Sequence, residues 1–435
     1  MQQKNKNRKI TMDLYRILSN QKEEIESLDT SDLITREEEK EVNLKSKLAQ
    51  VVIGVRRSGK STLCQKVLLE SGVNFAYVNF DDEKLSDLQK EELDDVMENL
   101  YRIYGDFTHL LLDEIQNIKG WEYFVNRLLR QGVKLVVTGS NANLLSSELT
   151  THLTGRYNQI TLYPFSFSEY CLVNKTDVKS QSTKAIALRL RCLDKYLMNG
   201  GFPETIFEPD SRKYAKNLID AIVNKDICKR YNVKYGATLM QMANGLLDRY
   251  CQEVTYSSLT EMFDIKSVHT TKSYMTYLCN AFLLCNIPKF SFKSIERQSF
   301  RKCYAIDNSF IAGHNDTIST ESYGWRLENA VAIELCRRAS KKLMNVYYIK
   351  VNKEYEIDFA VVDRGHIIEL VQVTYNFDNP STKQYNREVL GLIKAAKKFD
   401  CNNLTLVYMG STNKEITIDG FTVHQTSAID WFLRK

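Results

Sequence analysis

Gly54-Val55-Arg56-Arg57-Ser58-Gly59-Lys60-Ser61 (residues 54–61), followed by Thr62, decides the reading of this 435-residue chain. The stretch has the form G-x4-G-K-S/T, in which the glycines let the backbone curl until successive N–H groups point into one concavity. That concavity, with the start of a following helix, favours phosphate oxygens. Lys60 supplies a point charge to β- and γ-phosphates, and the Ser61 hydroxyl suits a magnesium ion. The flanks agree: QVVIGV (50–55) reads as a buried strand and STLCQKVLLE (61–70) as a helix. Gly54, Arg56, Arg57, Ser58, Gly59, Lys60, Ser61 and Thr62 are therefore the expected nucleotide-binding residues.

Downstream, His109-Leu110-Leu111-Leu112 leads into Asp113-Glu114. An apolar strand delivers two adjacent carboxylates to the edge of a sheet, where Asp113 would hold magnesium and Glu114 would polarise an attacking water. A further strand, KLVVTGSNAN (134–143), ends in Thr138, Ser140 and Asn141, and Asn141 is the candidate for orienting that water. Arg156 is a candidate arginine finger, serving its own nucleotide or a neighbouring subunit's, because a cation there would offset charge developing in phosphoryl transfer.

Around these motifs short strands (QVVIGV, NFAYVNF, HLLLDE, KLVVTGS, NQITLY) alternate with helical segments. That alternation predicts a parallel sheet covered on both faces. Five segments follow from the pattern: an N-terminal helical extension (1–45), a P-loop domain (46–172), a helical lid or connector (173–236), a segment of three helices and a hairpin (237–322), and a mixed α/β domain (323–435). Leu14, Ile17, Leu18, Ile25 and Leu28 fall near one helical face. The charged run REEEKE (36–41) reads as a solvated helix surface.

Composition sets the class. With 43% hydrophobic and 26% charged residues and a net charge of +5, the chain reads as an ordinary soluble protein. No apolar run approaches the roughly 20 residues that cross a bilayer, and the first twenty residues lack the apolar core of a signal peptide. The ten cysteines form no CxxC pair, which suits a reducing cytoplasm rather than a zinc site or disulfide framework.

The strings GVRRSGKST, LLLDEIQN, VVTGSNANLL, LTGRYNQITLYPFSFSEY and NGGFPE together resemble the AAA-type ATP-binding proteins of bacteria and archaea that carry a C-terminal domain of unknown function. The resemblance runs from about Ile34 to the end of the chain. It implies an α/β P-loop NTPase core of AAA+ type, a helical lid, a winged-helix segment and a restriction-endonuclease-like C-terminal domain. For the site it implies Gly59, Lys60 and Ser61 of the loop, with Asp113, Glu114 and Arg156.

Read from its own residues, 237–303 suits a winged helix, with VHTTKSYMTYLCNAF (268–282) as the helix for the major groove. Its expected DNA contacts are His269, Thr270 and Lys272, flanked by Ser267 and Ser273. On the following hairpin they are Lys289, Lys293, Arg297, Arg301 and Lys302, interleaved with phenylalanines.

In the last segment Glu328, Asp358 and Gln372-Val373-Thr374 resemble the constellation of PD-(D/E)XK nucleases. In such sites acids hold magnesium and a lysine activates water. Here glutamine stands for the second acid and threonine for the lysine, so the expectation is a retained fold with degenerate cleavage. Lys394 and Lys397 are the candidate substitutes for the missing cation. The whole predicts magnesium-dependent ATP binding and hydrolysis coupled to an action on DNA, in a cytoplasmic protein able to form homo-oligomers. The alternative is a slow nucleotide-gated switch that recruits a partner protein.

Overall fold

The computed structural model describes residues 2–141, 153, 155–291, 299–314, 320–351 and 355–434. They form two compact units, Met1–Leu162 and Tyr163–Lys435.

In the first unit, strands β1 (Ala49–Ile53), β2 (Phe75–Asn79), β3 (His109–Asp113), β4 (Lys134–Gly139) and β5 (Tyr157–Thr161) pair only in parallel, in the order β2-β3-β4-β1-β5. All five residues of β1 and of β3 are buried. This is why these strands read as unbroken apolar runs rather than alternating ones: both faces of the sheet are covered. Helices α2 (Lys60–Ser71), α3 (Leu93–Tyr104) and α4 (Trp121–Arg130) connect the strands. Parallel pairing sends every strand's exit to the same edge. The loop after β1 and the acids ending β3 therefore meet there, with β4 between them.

The N-terminal helix, α1 (Gln2–Glu26), is part of this unit's interior. Leu14, Ile17, Leu18 and Ile25 are buried as the helical face predicts, while Leu28 is only half-buried. Gln21, on the same face, donates from Nε2 to Asn79 O at 3.1 Å and accepts from Asn79 N at 3.0 Å. It thus satisfies both main-chain groups at the exit end of edge strand β2.

The charged run 36–41 departs from expectation. It is a 3₁₀ turn (Glu37–Glu41) rather than a solvated helix, and Arg36 and Glu38 are buried. Burial of Arg36 is tolerated because a partner is supplied. Arg36 Nη1 donates to Ser58 O at 3.0 Å, and Glu39 accepts from the buried Lys66 at 3.0 Å.

The second unit opens with helices α5 (Phe167–Val173), α6 (Thr183–Asn199), α7 (Pro203–Phe207) and α8 (Ser211–Ala221). Next come α9 (Gly236–Asp248), α10 (Tyr256–Met262) and α11 (Val268–Asn280). Strands β6 (Glu253–Val254), β7 (Leu284–Pro288) and β8 (Arg301–Ala305) form an antiparallel sheet in the order β6-β8-β7. After α12 (Asn308–His314) and α13 (Thr320–Lys341), strands β9 (Asn345–Val351), β10 (Tyr355–Asp363) and β11 (His366–Thr374) make an antiparallel meander. Helices α14 (Thr382–Tyr385) and α15 (Gly391–Phe399) lead to β12 (Leu404–Tyr408), which pairs in parallel with β11. Strands β13 (Lys414–Ile418) and β14 (Phe421–Ser427) complete the order β13-β14-β12-β11-β10-β9, and α16 (Ala428–Leu433) closes the chain.

Polar staples bind this unit together. At NGGFPE (199–204), Gly200 has φ 78°, and a Cβ there would be driven into the Asp307 carboxylate. Gly201 N donates to Asp307 Oδ2 at 2.8 Å, and Arg337 Nη2 donates to Pro164 O at 2.7 Å. Among the described residues no helix is long and apolar enough to cross a membrane.

If α1 belongs to the first unit's core, Leu18→Ala should lower that unit's stability by about 2–5 kcal/mol. The exposed Glu23→Ala should change it by less than about 0.5 kcal/mol. Urea unfolding followed by circular dichroism measures both.

Candidate functional site

The loop after β1 wraps a small concavity at the sheet's exit edge. Gly54 permits its close approach, since a Cβ there would be driven into the Leu162 carbonyl. Gly59, at φ 91°, caps α2 in a left-handed conformation that leaves the helix N-terminus open. Ser58 is fully buried, and its Oγ has no hydrogen-bond partner. An orphaned hydroxyl inside a loop of backbone amides fits a phosphate-binding concavity.

Lys60 is 4% exposed, and its Nζ donates to Val55 O at 3.1 Å and lies 3.5 Å from Glu114 Oε1. The Ser61 hydroxyl donates to Asp113 Oδ1 at 2.8 Å, so the two expected magnesium ligands touch across the intervening strand. Thr138, on that strand, organises both acids: its hydroxyl donates to Asp113 Oδ1 and accepts from Glu114 N at 2.9 Å. Glu114 itself takes a left-handed backbone, φ 51°, and its Oε2 accepts from Gln116 Nε2. These groups fit a nucleotide with magnesium. Backbone amides and Lys60 face anionic phosphate, while Ser61 and Asp113 offer hard oxygen ligands.

Electrostatics separate the two carboxylates. Burial, then the Glu114 charge, pushes Asp113 above the ordinary carboxylate range. Burial also pushes Glu114 upward, but Lys60, Gln116 and Arg56 outweigh it and hold Glu114 below its ordinary value, as an ionised base.

The other expected residues fall as follows. Arg56 reaches Asp81 at 3.4 Å, Arg57 adopts φ 69° within the loop, and Thr62 lies in the first turn of α2. Asn141 is buried just past β4, at the same edge as the loop. Arg156 is exposed at the opposite edge. β5 runs parallel to β1 with Tyr157 opposite Ala49, so Arg156 precedes the strand's start, about a strand length (~15 Å) from its own loop. Service to its own nucleotide is therefore excluded by the strand direction.

Sequence reasoning missed Arg36, which braces the loop through Ser58 O, because its charged neighbours disguised it as surface. It also missed Gln116 and Tyr77, whose hydroxyl is 3.4 Å from Asp113 Oδ2. No motif spacing marks either.

In the second unit, Glu328, Asp358, Gln372 and Thr374 line one pocket of about 750 Å³. Lys302 lines it too, and this corrects its assignment to DNA. It is 4% exposed, and its Nζ lies 3.1 Å from Glu328, 2.6 Å from Glu356 and 3.4 Å from Asp358. Successive residues of a strand face opposite ways; Arg301 accordingly stacks on Tyr256 at 4.4 Å while Lys302 turns into the pocket. Burial alone would lower the Lys302 pKa, but Glu328, Asp358 and Glu356 hold it well above the ordinary value.

Of the remaining DNA candidates, His269 and Lys272 are exposed on α11, whereas Thr270 lies in its first turn and donates its N–H to Ser267 Oγ, the helix cap. Lys289 is half-buried near the Phe300 ring, and Lys293 and Arg297 lie outside the described residues.

Fold and loop define a P-loop ATPase domain of AAA type. A family model described as "AAA domain" matches residues 46–171, and one described as "Domain of unknown function (DUF8612)" matches residues 190–321. The chain is 31% identical over 392 residues to the uncharacterized protein MJ1544 of Methanocaldococcus jannaschii, covering 87% of this chain and 86% of that one. It is 30% identical over 409 residues to an uncharacterized protein of Haemophilus influenzae, covering 88% and 94%. It belongs to the family of AAA-domain proteins that these two relatives represent. Among solved structures, the Walker-type ATPase PABY2304 of Pyrococcus abyssi matches at 14% identity and a TM-score of 0.43, over 65% of this chain and 96% of that one.

The raised pKa of Asp113 has a signed consequence. Its ionisation opposes folding, with no penalty below the unfolded carboxylate pKa of about 3.9 and the full penalty above the raised folded value. In protein free of metal and nucleotide, Asp113→Asn should therefore raise the melting temperature at pH 7, and the gain should shrink as pH falls through the carboxylate range. Thermal melts of both proteins across pH 4–7 check it.

Proposed function

We propose that this chain is a magnesium-dependent ATPase whose nucleotide cycle acts on DNA. The observation that carries the first half is the convergence of Lys60, Ser61, Asp113 and Glu114 around a loop holding an orphaned buried hydroxyl. Backbone amides of 54–61 and Lys60 would hold the phosphate tail, with Ser61 and Asp113 holding magnesium. The ion would supply charge neutralisation between phosphate oxygens. Glu114, kept ionised beside Lys60, is the base that orients and polarises water, and Thr138 fixes its backbone at the sheet edge. Asn141 is the polar group that completes this water's surroundings.

Gln116 and Lys60 both engage the Glu114 carboxylate. Phosphate arriving at Lys60 competes for that ammonium and releases Glu114 toward water. Arg156, on the far edge, would serve the nucleotide of a second copy.

The DNA half rests on α9, α10 and α11 with the β6-β8-β7 sheet, an arrangement that suits a winged helix. His269 and Lys272 stand exposed on its third helix, able to meet phosphates or base edges. The helix α13, the β9-β10-β11 meander and the α15-β12 return support a nuclease-like fold for the remainder.

Lys60→Ala should abolish ATP binding in calorimetry. Glu114→Gln should still bind ATP with magnesium but turn over at least about 100-fold more slowly; unchanged turnover would refute the assigned base. Duplex DNA should accelerate hydrolysis at low salt. Lys272→Ala should weaken DNA binding and flatten its dependence on salt by about one counterion, measured by fluorescence anisotropy. Indifference of both turnover and anisotropy to DNA would reject that half alone.

A further inference from the structure

The acids of the second unit's pocket resemble a magnesium site, yet the residues around them fit a different cation. An ammonium has three N–H donors, and Lys302 has three carboxylates around it, Glu328, Glu356 and Asp358, at 2.6–3.4 Å. Those separations are hydrogen-bonded ion-pair distances. Among the described residues, no three Asp, Glu, His or Cys side chains are grouped to hold a metal ion.

The surrounding contacts fix the acids in this arrangement. Glu328 Oε1 accepts from Tyr304 OH at 3.0 Å, and Asp358 Oδ2 accepts from Val373 N at 2.9 Å. Gln372 spends its carbonyl on Asp358 N at 3.3 Å, and Thr374 accepts from Gln384. A fourth acid, Glu388, lines the same pocket. It is fully buried, with Oε1 held by Arg387 and the Gln372 side chain beside its carboxylate. The pocket thus gathers four acids, with a lysine already seated among three of them.

We propose that Lys302 is a built-in replacement for a divalent ion: its ammonium holds Glu328, Glu356 and Asp358 together, and the pocket takes up a metal only when that ammonium is removed. The lysine comes from β8 of the three-stranded sheet, so the cation absent from the Gln372–Thr374 strand is supplied in space by a residue 70 positions earlier than Gln372. With a permanent ammonium in place, the acids have no demand for a second cation. With it removed, Glu328, Glu356 and Asp358 lose the ammonium that neutralised them, and their uncompensated charge creates one. The inference is independent of the ATPase and DNA readings, and its test uses neither nucleotide nor DNA.

Manganese binding to the full chain is followed by electron paramagnetic resonance, with thermal melts in parallel. Lys302→Met should bind one manganese ion at least about tenfold more tightly than the native chain, and manganese should raise its melting temperature but not the native protein's. Lys302→Arg, which keeps the cation, should show no gain, and adding Asp358→Asn to Lys302→Met should erase it. Tight manganese binding by the native chain that Asp358→Asn abolishes would overturn the proposal. So would a Lys302→Met protein that stays folded without gaining a site, or one that is unfolded and manganese fails to restore.

Discussion

The contact between the Ser61 hydroxyl and the Asp113 carboxylate joins two segments 52 positions apart in sequence, the helix that follows the phosphate loop and the strand that brings the acids. It exists only because the sheet is parallel and because β4 separates β1 from β3 by one strand's width. β4 is more than a spacer. Thr138, at its exit, accepts from the Glu114 backbone and donates to Asp113, so one hydroxyl sets the attitude of both acids. Burial raises the energetic stakes of this triad. Desolvation pushes Asp113 toward its neutral form, while the neighbouring lysine keeps Glu114 charged. Two adjacent carboxylates thereby acquire opposite tendencies from their surroundings.

The second unit solves a similar problem with buried charge. Asp307 is held by Gly201 N and Ser309 N, and its carboxylate fills the space that a side chain at residue 200 would claim. Arg337 reaches Pro164 O, and Lys302 gathers three acids. Such interactions cost desolvation and are worth keeping only where geometry returns it. Here they lock helices to sheets whose contact surfaces would otherwise be shared among many registers.

Much of the first unit was legible in the sequence because its strands are buried on both faces and its chemistry sits in contiguous motifs. The five strands, the loop and the Asp113-Glu114 pair could be found without long-range information. What failed was anything decided by distance in space. Arg36 reads as part of a charged surface, and only its hydrogen bond to Ser58 O reveals that it lies beneath the loop. Lys302 belongs to a basic hairpin on paper, but strand alternation turns it inward while its neighbour Arg301 faces Tyr256. Arg156 sits in a motif that resembles a nucleotide-site element, yet strand direction puts it at the wrong edge for its own chain. Gln372 and Thr374 read as losses on paper because Lys302, the cation that shares their pocket, lies 70 positions before Gln372 in the chain.

The amide of Gln21 has a consequence for how copies of the chain can meet. By engaging Asn79 N and O together, it closes the exit end of β2 to any incoming backbone, and α1 lies along that flank. A neighbour therefore cannot lengthen the sheet there by adding a strand. Any strand that lengthened this sheet would have to arrive at β5, its other edge, which lies beside β1 and away from the flank that α1 guards.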